Sequence, residues 1–443
     1  MLTACLNSAH VSPCRFARLG SNCRKLSNII LMAGTDSVKA TYRDVSRDEA
    51  VCLVDGIKKH AAHVMLYAKQ QRKLFGHYNL KYAIMMQIRF DGTLGFPGDV
   101  VDQGETPEMA VNREMCEELG CSSDSCVITI ADHVISQVSY QTQFCLHFYA
   151  KEIAIETLHS MERSAIVCND YGSEVMGVVR CPLHTMSDGK GFSAFLQHQF
   201  IGNSKLQLLE TIKQRGLLTP DEVQAALTPA GTDNKATYQD VTREDAMNLT
   251  DHVIHASHVL LYAPVPGKLF GKYDMKYTMM VQMRFDGTLG FPGGIADWGE
   301  SPEIALNREM REELGCDVSK FSITPDDHLF SKVSENLKRG KTYCLHSYAK
   351  EISKETLEHI EKCSLEGNDH GLEVLGVIRC PLYTLPNGLG FPAFLKHRFI
   401  ADSRDQLLYT IRERKLLSRS ELQAALKDSD HIKTLVTVDD ADI

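Results

Sequence analysis

Two largely apolar runs, Tyr82 to Phe90 and Tyr277 to Phe285, read as buried strands. Each runs into an Asp-Gly pair, Asp91-Gly92 and Asp286-Gly287, which marks a tight hairpin turn. A helix is announced next in both places. Thr106-Pro107-Glu108 and Ser301-Pro302-Glu303 each supply an N-cap, a proline at the first helical position and an acid in the first turn. Gly120 and Gly315 stop those helices. Strand-like segments follow at 127–138, 144–153 and 174–181, with counterparts in the second half. Each half closes with helices, such as 203–215 followed by Thr219-Pro220-Asp221-Glu222. Strands and helices mix without strict alternation, which predicts an α+β fold.

The two halves are one unit written twice. "AGTDSVKATYRDV" at 33–45 returns as "AGTDNKATYQDV" at 230–241, and "QIRFDGTLGFPGD" at 87–99 as "QMRFDGTLGFPGG" at 282–294. "LHFYAKEI" at 146–153 and "GVVRCPL" at 177–183 return at 345–352 and 376–382. An offset of 197 residues between Ala33 and Ala230 is too long for a solenoid repeat and fits a whole domain. The expected organisation is a leader at 1–32, a first domain at 33–229, a second at 230–427 and an acidic tail at 428–443. The linker around "LTPAGTDN" is short, so the domains should lie close together.

The chemistry sits in the capped helices. Glu309 and Glu313 are four apart and share a face, with Glu312 beside them; Glu114, Glu117 and Glu118 repeat this in the first half. Like charges at that spacing weaken an isolated helix, and a hard cation offsets the repulsion. Oxygen ligands on one face suit Mg²⁺ or Mn²⁺, which also polarises a phosphoryl oxygen. Arg113 and Arg308 precede the clusters and are placed to pair with Glu105 and Glu300. The glycine turn before each helix lets a backbone carbonyl approach the metal shell.

The spacing G-x5-E-x7-R-E-U-x-E-E-x-G-U, with U apolar, resembles the Nudix box. The second half matches throughout: Gly294, Glu300, Arg308, Glu309, Met310, Glu312, Glu313, Gly315 and Cys316. The first half matches with Glu105, Arg113, Glu114, Met115, Glu117, Glu118, Gly120 and Cys121, but has Asp99 in place of the first glycine. That glycine is expected to need a positive φ, and Asp99 adds a negative charge beside the metal site. Flanking stretches, "HVLLYAP", "MRFDGTLGFPGG", "NDHGLEVLGVIRCPLYTL" and "FIADSRDQLL", are similar to the U8 snoRNA-decapping and inosine diphosphate-cleaving branch of the Nudix family.

The resemblance implies an α/β/α sandwich around a mixed sheet. It implies hydrolysis of a diphosphate linkage, in inosine and deoxyinosine diphosphates (IDP and dIDP) or in capped RNA, with NAD-type caps and ADP-ribose as further candidates. Metal would fall to Glu309, Glu313 and the Gly293 carbonyl, and in the first domain to Glu114, Glu118 and Gly98. Glu117, Glu118, Glu312 and Glu313 would carry catalysis. Substrate contacts would fall on His63, Arg89, Phe96 and Gln207, and on His258, Arg284, Phe291 and Gln406.

Arginine suits phosphate and an aromatic suits a purine face. From the residues alone, His258 also fits a partly buried polar residue, Phe291 a core residue and Arg284 a solvated strand end. His147 and His346 read as structural, and Glu174 and Glu373 are candidate bases outside the box.

Composition narrows the partners. A net charge of −9 argues against a long nucleic-acid footprint, though it leaves one nucleotide or one RNA end open. No apolar run approaches a membrane span, so no membrane partner is expected. The 14 cysteines form no CxxC pair and read as reduced, mostly buried thiols. A small basic loop, 337–341, is either an RNA contact or a solvated turn. The Arg- and Ser-bearing leader fits a mitochondrial transit peptide or an unstructured extension, whereas the resemblance points to nucleus and cytoplasm. The repeat also admits a pseudo-dimer within one chain, and a rival function as an adaptor with one or both sites inactive.

Overall fold

The computed structural model describes residues 41–52, 55–121, 126–228, 237–249, 253–336 and 341–427. The expected leader, the acidic tail, loop residues 337–340 and most of the linker lie outside them. The first repeat runs β1 (Arg43–Val45), α1 (Arg47–Cys52), β2 (Lys59–Leu74), β3 (Tyr78–Arg89), β4 (Leu94–Gly95), β5 (Gly98–Val100), α2 (Pro107–Leu119), β6 (His133–Ser139), β7 (Phe144–Ile153), α3 (Ile155–Ala165), β8 (Val175–Cys181), α4 (Phe192–Phe195), α5 (Ser204–Gln214) and α6 (Pro220–Leu227).

The second repeat follows the same plan. It runs β9 (Tyr238–Val241), α7 (Arg243–Met247), β10 (Val253–Leu269), β11 (Tyr273–Arg284), β12 (Leu289–Gly290), β13 (Gly293–Ile295), α8 (Pro302–Leu314), β14 (His328–Asn336), β15 (Lys341–Glu351), α9 (Lys354–Ser364), β16 (Val374–Pro381), α10 (Phe391–Phe394), α11 (Ser403–Glu413) and α12 (Arg419–Leu426).

Each repeat builds a mixed sheet. In the first the order is β1-β6-β7-β2-β3-β4, with β5 on β2 and β8 on β3. Only β2 and β7 run parallel; the other pairs are antiparallel. The apolar runs are explained by burial on both faces. Val64, Leu66 and Ala68 of β2 pack with α2 and α3, whereas Met65 and Tyr67 join a cluster with α4 and α5. Helices therefore cover both sides of an α+β fold.

The expected helix starts are present in detail. The Thr106 and Ser301 side chains accept from Met109 N and Ile304 N, a proline follows, and Gly120 and Gly315 end the helices at φ 64° and 63°. Observed strands differ at their ends. β3 starts at Tyr78, upstream of the expected Tyr82, and β6 starts only at His133. Ahead of β6, Thr129 and Asp132 bond reciprocally around a short 3-10 turn, Ile130–Asp132, so local polar bonding delays the start of the strand.

The repeats touch through equivalent parts. A Cβ on Gly177 would lie 2.5 Å from Val377 O, and one on Gly376 would lie 2.3 Å from Val178 O, so only glycine lets β8 and β16 approach this closely. Gly191 N donates to Asp286 O, and Gly390 N to Asp91 O, each at 2.7 Å. His198 and His397 are both buried, with their Nδ1 atoms 3.0 Å apart. Each sends Nε2 to a carbonyl of the other repeat, Gly287 O and Gly92 O, at 2.9 Å. A carbonyl only accepts, so both rings carry the Nε2 proton.

Candidate active site

The turn before α2 and α8 places the backbone against the carboxylates. Gly98 and Gly293 have φ of 127° and 134°, and a Cβ there would strike Ala62 O at 2.1 Å or Ser257 O at 2.0 Å. Their N–H groups donate to Glu118 Oε2 at 3.0 Å and Glu313 Oε2 at 2.9 Å. Asp99 is not among the residues at positive φ, nor is Gly294. The expected conformational demand therefore falls one residue earlier, on Gly98 and Gly293, because β5 and β13 pair there with β2 and β10.

Arginine answers part of the repulsion along the helix. Arg308 donates from Nε and Nη2 to the two oxygens of Glu300 at 3.2 and 3.0 Å, and from Nη1 to Glu309 at 2.8 Å and Glu312 at 3.4 Å. Arg113 bonds Glu105 at 2.9 and 3.0 Å, Glu114, and Glu117 at 3.4 Å. The innermost carboxylates receive less. Burial pushes Glu313 up to about 8, with Arg284 pulling the other way. Glu118 is raised well above the carboxylate range by burial and then by Glu114. A buried carboxylate raised by desolvation is one that a cation would relieve. The donor set is all oxygen, as Mg²⁺ and Mn²⁺ require, so the residues present fit such an ion.

The remaining candidates surround this cluster. His63 and His258 pair in register with Gly98 and Gly293. Burial first, then Arg89 or Arg284, lowers the two histidines to about 3 and about 4, so both rings are neutral. Arg89 is buried 3.4 Å from Asp91, and Arg284 stands 3.9 Å from Asp286. Both arginines lie close enough to Glu118 or Glu313 to oppose their raised pKa values. Phe96 and Phe291 are each 1% exposed; Phe96 packs edge-on against Phe148 with centroids 4.9 Å apart. In this conformation both rings belong to the core beneath the turn. Gln207 and Gln406 are buried on α5 and α11, with Gln207 Nε2 and Gln406 Oε1 lacking a partner. Burial also raises Glu373, with Asp369 adding to it.

Two features escaped the sequence reading. Trp298, the chain's one tryptophan, stands 98% exposed in the loop before α8. Its only sequence signal is its uniqueness. The second feature is a histidine chain. His255 Nε2 lies 3.1 Å from Leu249 O, so its Nδ1 accepts from His346 Nε2 at 2.9 Å. His346 Nδ1 meets Ser331 Oγ at 3.0 Å, and Ser331 meets His328 at 2.9 Å. Cys344 Sγ is near enough to complete a ligand-like trio, and His60, Cys145 and His147 repeat it. The imidazoles of His255 and His346 are nearly coplanar, at 14°, with centroids 5.2 Å apart. That places the nitrogens end-on, the geometry of N–H···N, with a proton where a metal would need more room.

A mixed sheet between helices, with the box carboxylates converging on a glycine turn, defines a Nudix domain, here present twice. Residues 60–218 and 255–417 each match the family described as "Nudt16-like: U8 snoRNA-decapping enzyme-like". These stretches make up well over half the sequence, and the chain belongs to that family. It is 41% identical over 203 residues to the U8 snoRNA-decapping enzyme of Xenopus laevis, covering 45% of this chain and 94% of that protein. It is 39% identical over 190 residues to the Tudor-interacting repair regulator protein of Homo sapiens, covering 42% and 86%. A mutT/nudix family protein from Listeria innocua is similar at 17% identity with a TM-score of 0.25, covering 37% of this chain and 98% of that one.

Proposed function

We propose that this chain is a tandem, divalent-metal-dependent Nudix diphosphohydrolase that cleaves a nucleoside diphosphate linkage. Its substrate would be inosine or deoxyinosine diphosphate, the capped end of an RNA, or both. The observation that carries this reading is the Glu309, Glu312 and Glu313 cluster, whose innermost member is anchored on the Gly293 N–H and raised to about 8. When bound, Mg²⁺ or Mn²⁺ would neutralise the cluster and polarise a phosphoryl oxygen. Glu309, Glu313 and the Gly293 carbonyl would hold it, as would Glu114, Glu118 and the Gly98 carbonyl in the first repeat.

Protein groups would do the rest. Arg308 fixes Glu309 and Glu312 in place, and Glu312, the most solvent-facing of the three, can take a proton from an attacking water. Glu117 is its counterpart. Arg284 and Arg89 would meet phosphate oxygens, while neutral His258 and His63 would bond the substrate without adding charge. Gln406 and Gln207 would read a base edge through their unpaired amide atoms. Phe291 and Phe96 would form the floor of the site or, after a shift, a stacking surface.

The test is product analysis on inosine diphosphate, deoxyinosine diphosphate, capped RNA, NAD and ADP-ribose, with Mn²⁺ or with chelator. The Glu118→Gln, Glu313→Gln chain serves as the blank. Metal-dependent monophosphate release absent from the blank is expected. Turnover retained in the double variant would sink the mechanism.

No turnover on any substrate would favour the second reading, an RNA- or protein-binding adaptor. Similarity to a protein named as a Tudor-interacting repair regulator supports that alternative. We also read the repeats as a pseudo-dimer within one chain, supported by the reciprocal His198 and His397 bonds. Similarity to snoRNA-decapping enzymes supports a nuclear role, and the cytoplasm is our second proposed compartment.

A further inference from the structure

The two carboxylate clusters differ at one position, and that position points into them. A Cβ built on Gly294 would come within 2.6 Å of Glu309 Cδ, 2.7 Å of its Oε2 and 2.9 Å of its Oε1. Any side chain there must enter the carboxylate group. The first repeat has Asp99 at this point, only 5% exposed, and its Oδ1 is buried without a hydrogen-bond partner. A left-handed backbone does not account for it, since Asp99 is not among the residues at positive φ. The accommodation shows in its neighbour: the Glu114 side chain is 2% exposed, whereas that of Glu309 is 20% exposed. Arg89 and Lys59 are the cationic groups that sense Asp99, and Arg89 is shared with Asp91 and Glu118.

We propose that Asp99 is an additional cation ligand, making the first repeat a tighter divalent-cation site than the second and a poorer phosphate site. This rests on the metal-dependent reading above. Asp99, Glu114, Glu117 and Glu118 give four carboxylates where the second repeat has Glu309, Glu312 and Glu313. Affinity for a hard cation rises with the number of charged oxygen ligands. The same added charge repels a diphosphate, and the aspartate takes up the space that the Glu309 carboxylate occupies beside Gly294 in the second repeat. The two repeats would thus divide the work, one retaining a cation and the other turning over substrate.

The experiment uses the full chain with Glu309→Gln and Glu313→Gln, so that only the first repeat retains its cluster. Mn²⁺ is titrated by electron paramagnetic resonance and calorimetry, and Asp99→Asn is then added as a near-isosteric loss of charge. One Mn²⁺ site whose affinity falls roughly tenfold or more in the Asn variant is the expected result. Unchanged affinity, or no Mn²⁺ binding before Asp99 is altered, overturns the inference. Asp99→Gly provides a second variant, expected to weaken Mn²⁺ in the same way while lowering the KM for inosine diphosphate. Should the chain with both clusters intact turn over no substrate, the hydrolase reading fails while the Mn²⁺ titration still decides the role of Asp99. Should turnover occur with Mn²⁺ affinity unmoved, only the Asp99 inference fails.

Discussion

Single residues at the turn carry more than their size suggests. Gly293 combines a φ of 134° with a carbonyl only 2.0 Å from where a Cβ would sit. Gly293→Ala should cost roughly 2 kcal/mol or more, because strain and collision add. It should also suppress turnover at the second site, where the Gly293 N–H anchors Glu313. Denaturant unfolding beside single-turnover assays would check both, and a variant with wild-type stability would contradict the geometry. The carboxylate spacing, the Arg308–Glu300 pair and the helix caps were legible in the sequence because each depends on neighbours within about one or two helical turns. The φ demand was read one residue too late. It is set by the pairing of β13 with β10, a contact across the fold that spacing along the chain does not reveal.

At the scale of elements, the loop ahead of β16 is braced from the other repeat. Arg72 of β2 donates to His370 O at 2.9 Å and Asn368 O at 3.3 Å, on either side of Asp369. Its counterpart in β10 is Gly267, so the brace acts in one direction only. His370 itself reaches Glu162 of α3 at 3.0 Å, where Arg180 already holds both carboxylate oxygens at 2.7 Å. The same loop leads to Glu373, which senses Glu309 and Glu312. In a chain with the first site silenced by Glu118→Gln, Arg72→Ala should remove about 1 kcal/mol of transition-state stabilisation at the second. Steady-state kinetics unchanged by the substitution would show the loop to be held well enough without it. Helices α3 and α9 and the parallel β2–β7 pair were not legible. The helices lack a box-like signature, and the strand pairing joins segments more than 80 residues apart.

Across the molecule, enclosed histidines dominate the response to acid. His63, His147, His198, His258, His346 and His397 all lie below the ordinary value of 6.5, each chiefly through burial. A base with a lowered folded pKa contributes stability above 6.5 that is lost as pH falls toward the folded value, since the unfolded chain takes up the proton first. Glu118 and Glu313, raised by burial, act in the opposite sense: the folded chain holds their protons, so acidification toward the usual 4.5 favours it. Among the described residues His133, His159, His184 and His328 are lowered too, and Glu309, Asp369, Glu373 and Asp402 raised, so ten groups outweigh six below 6.5. In chelator, thermal stability should therefore fall between about pH 6.5 and 5, before most carboxylates titrate. A melting temperature flat over that range would show that these rings protonate in place. Finally, Asp99 and Arg72 each occur once, facing Gly294 and Gly267 at the matching positions. In an assembly of identical subunits one gene writes every site, and a change in one is a change in all. Here each half is encoded by its own stretch of one chain, so either site is free to diverge while its neighbour is kept.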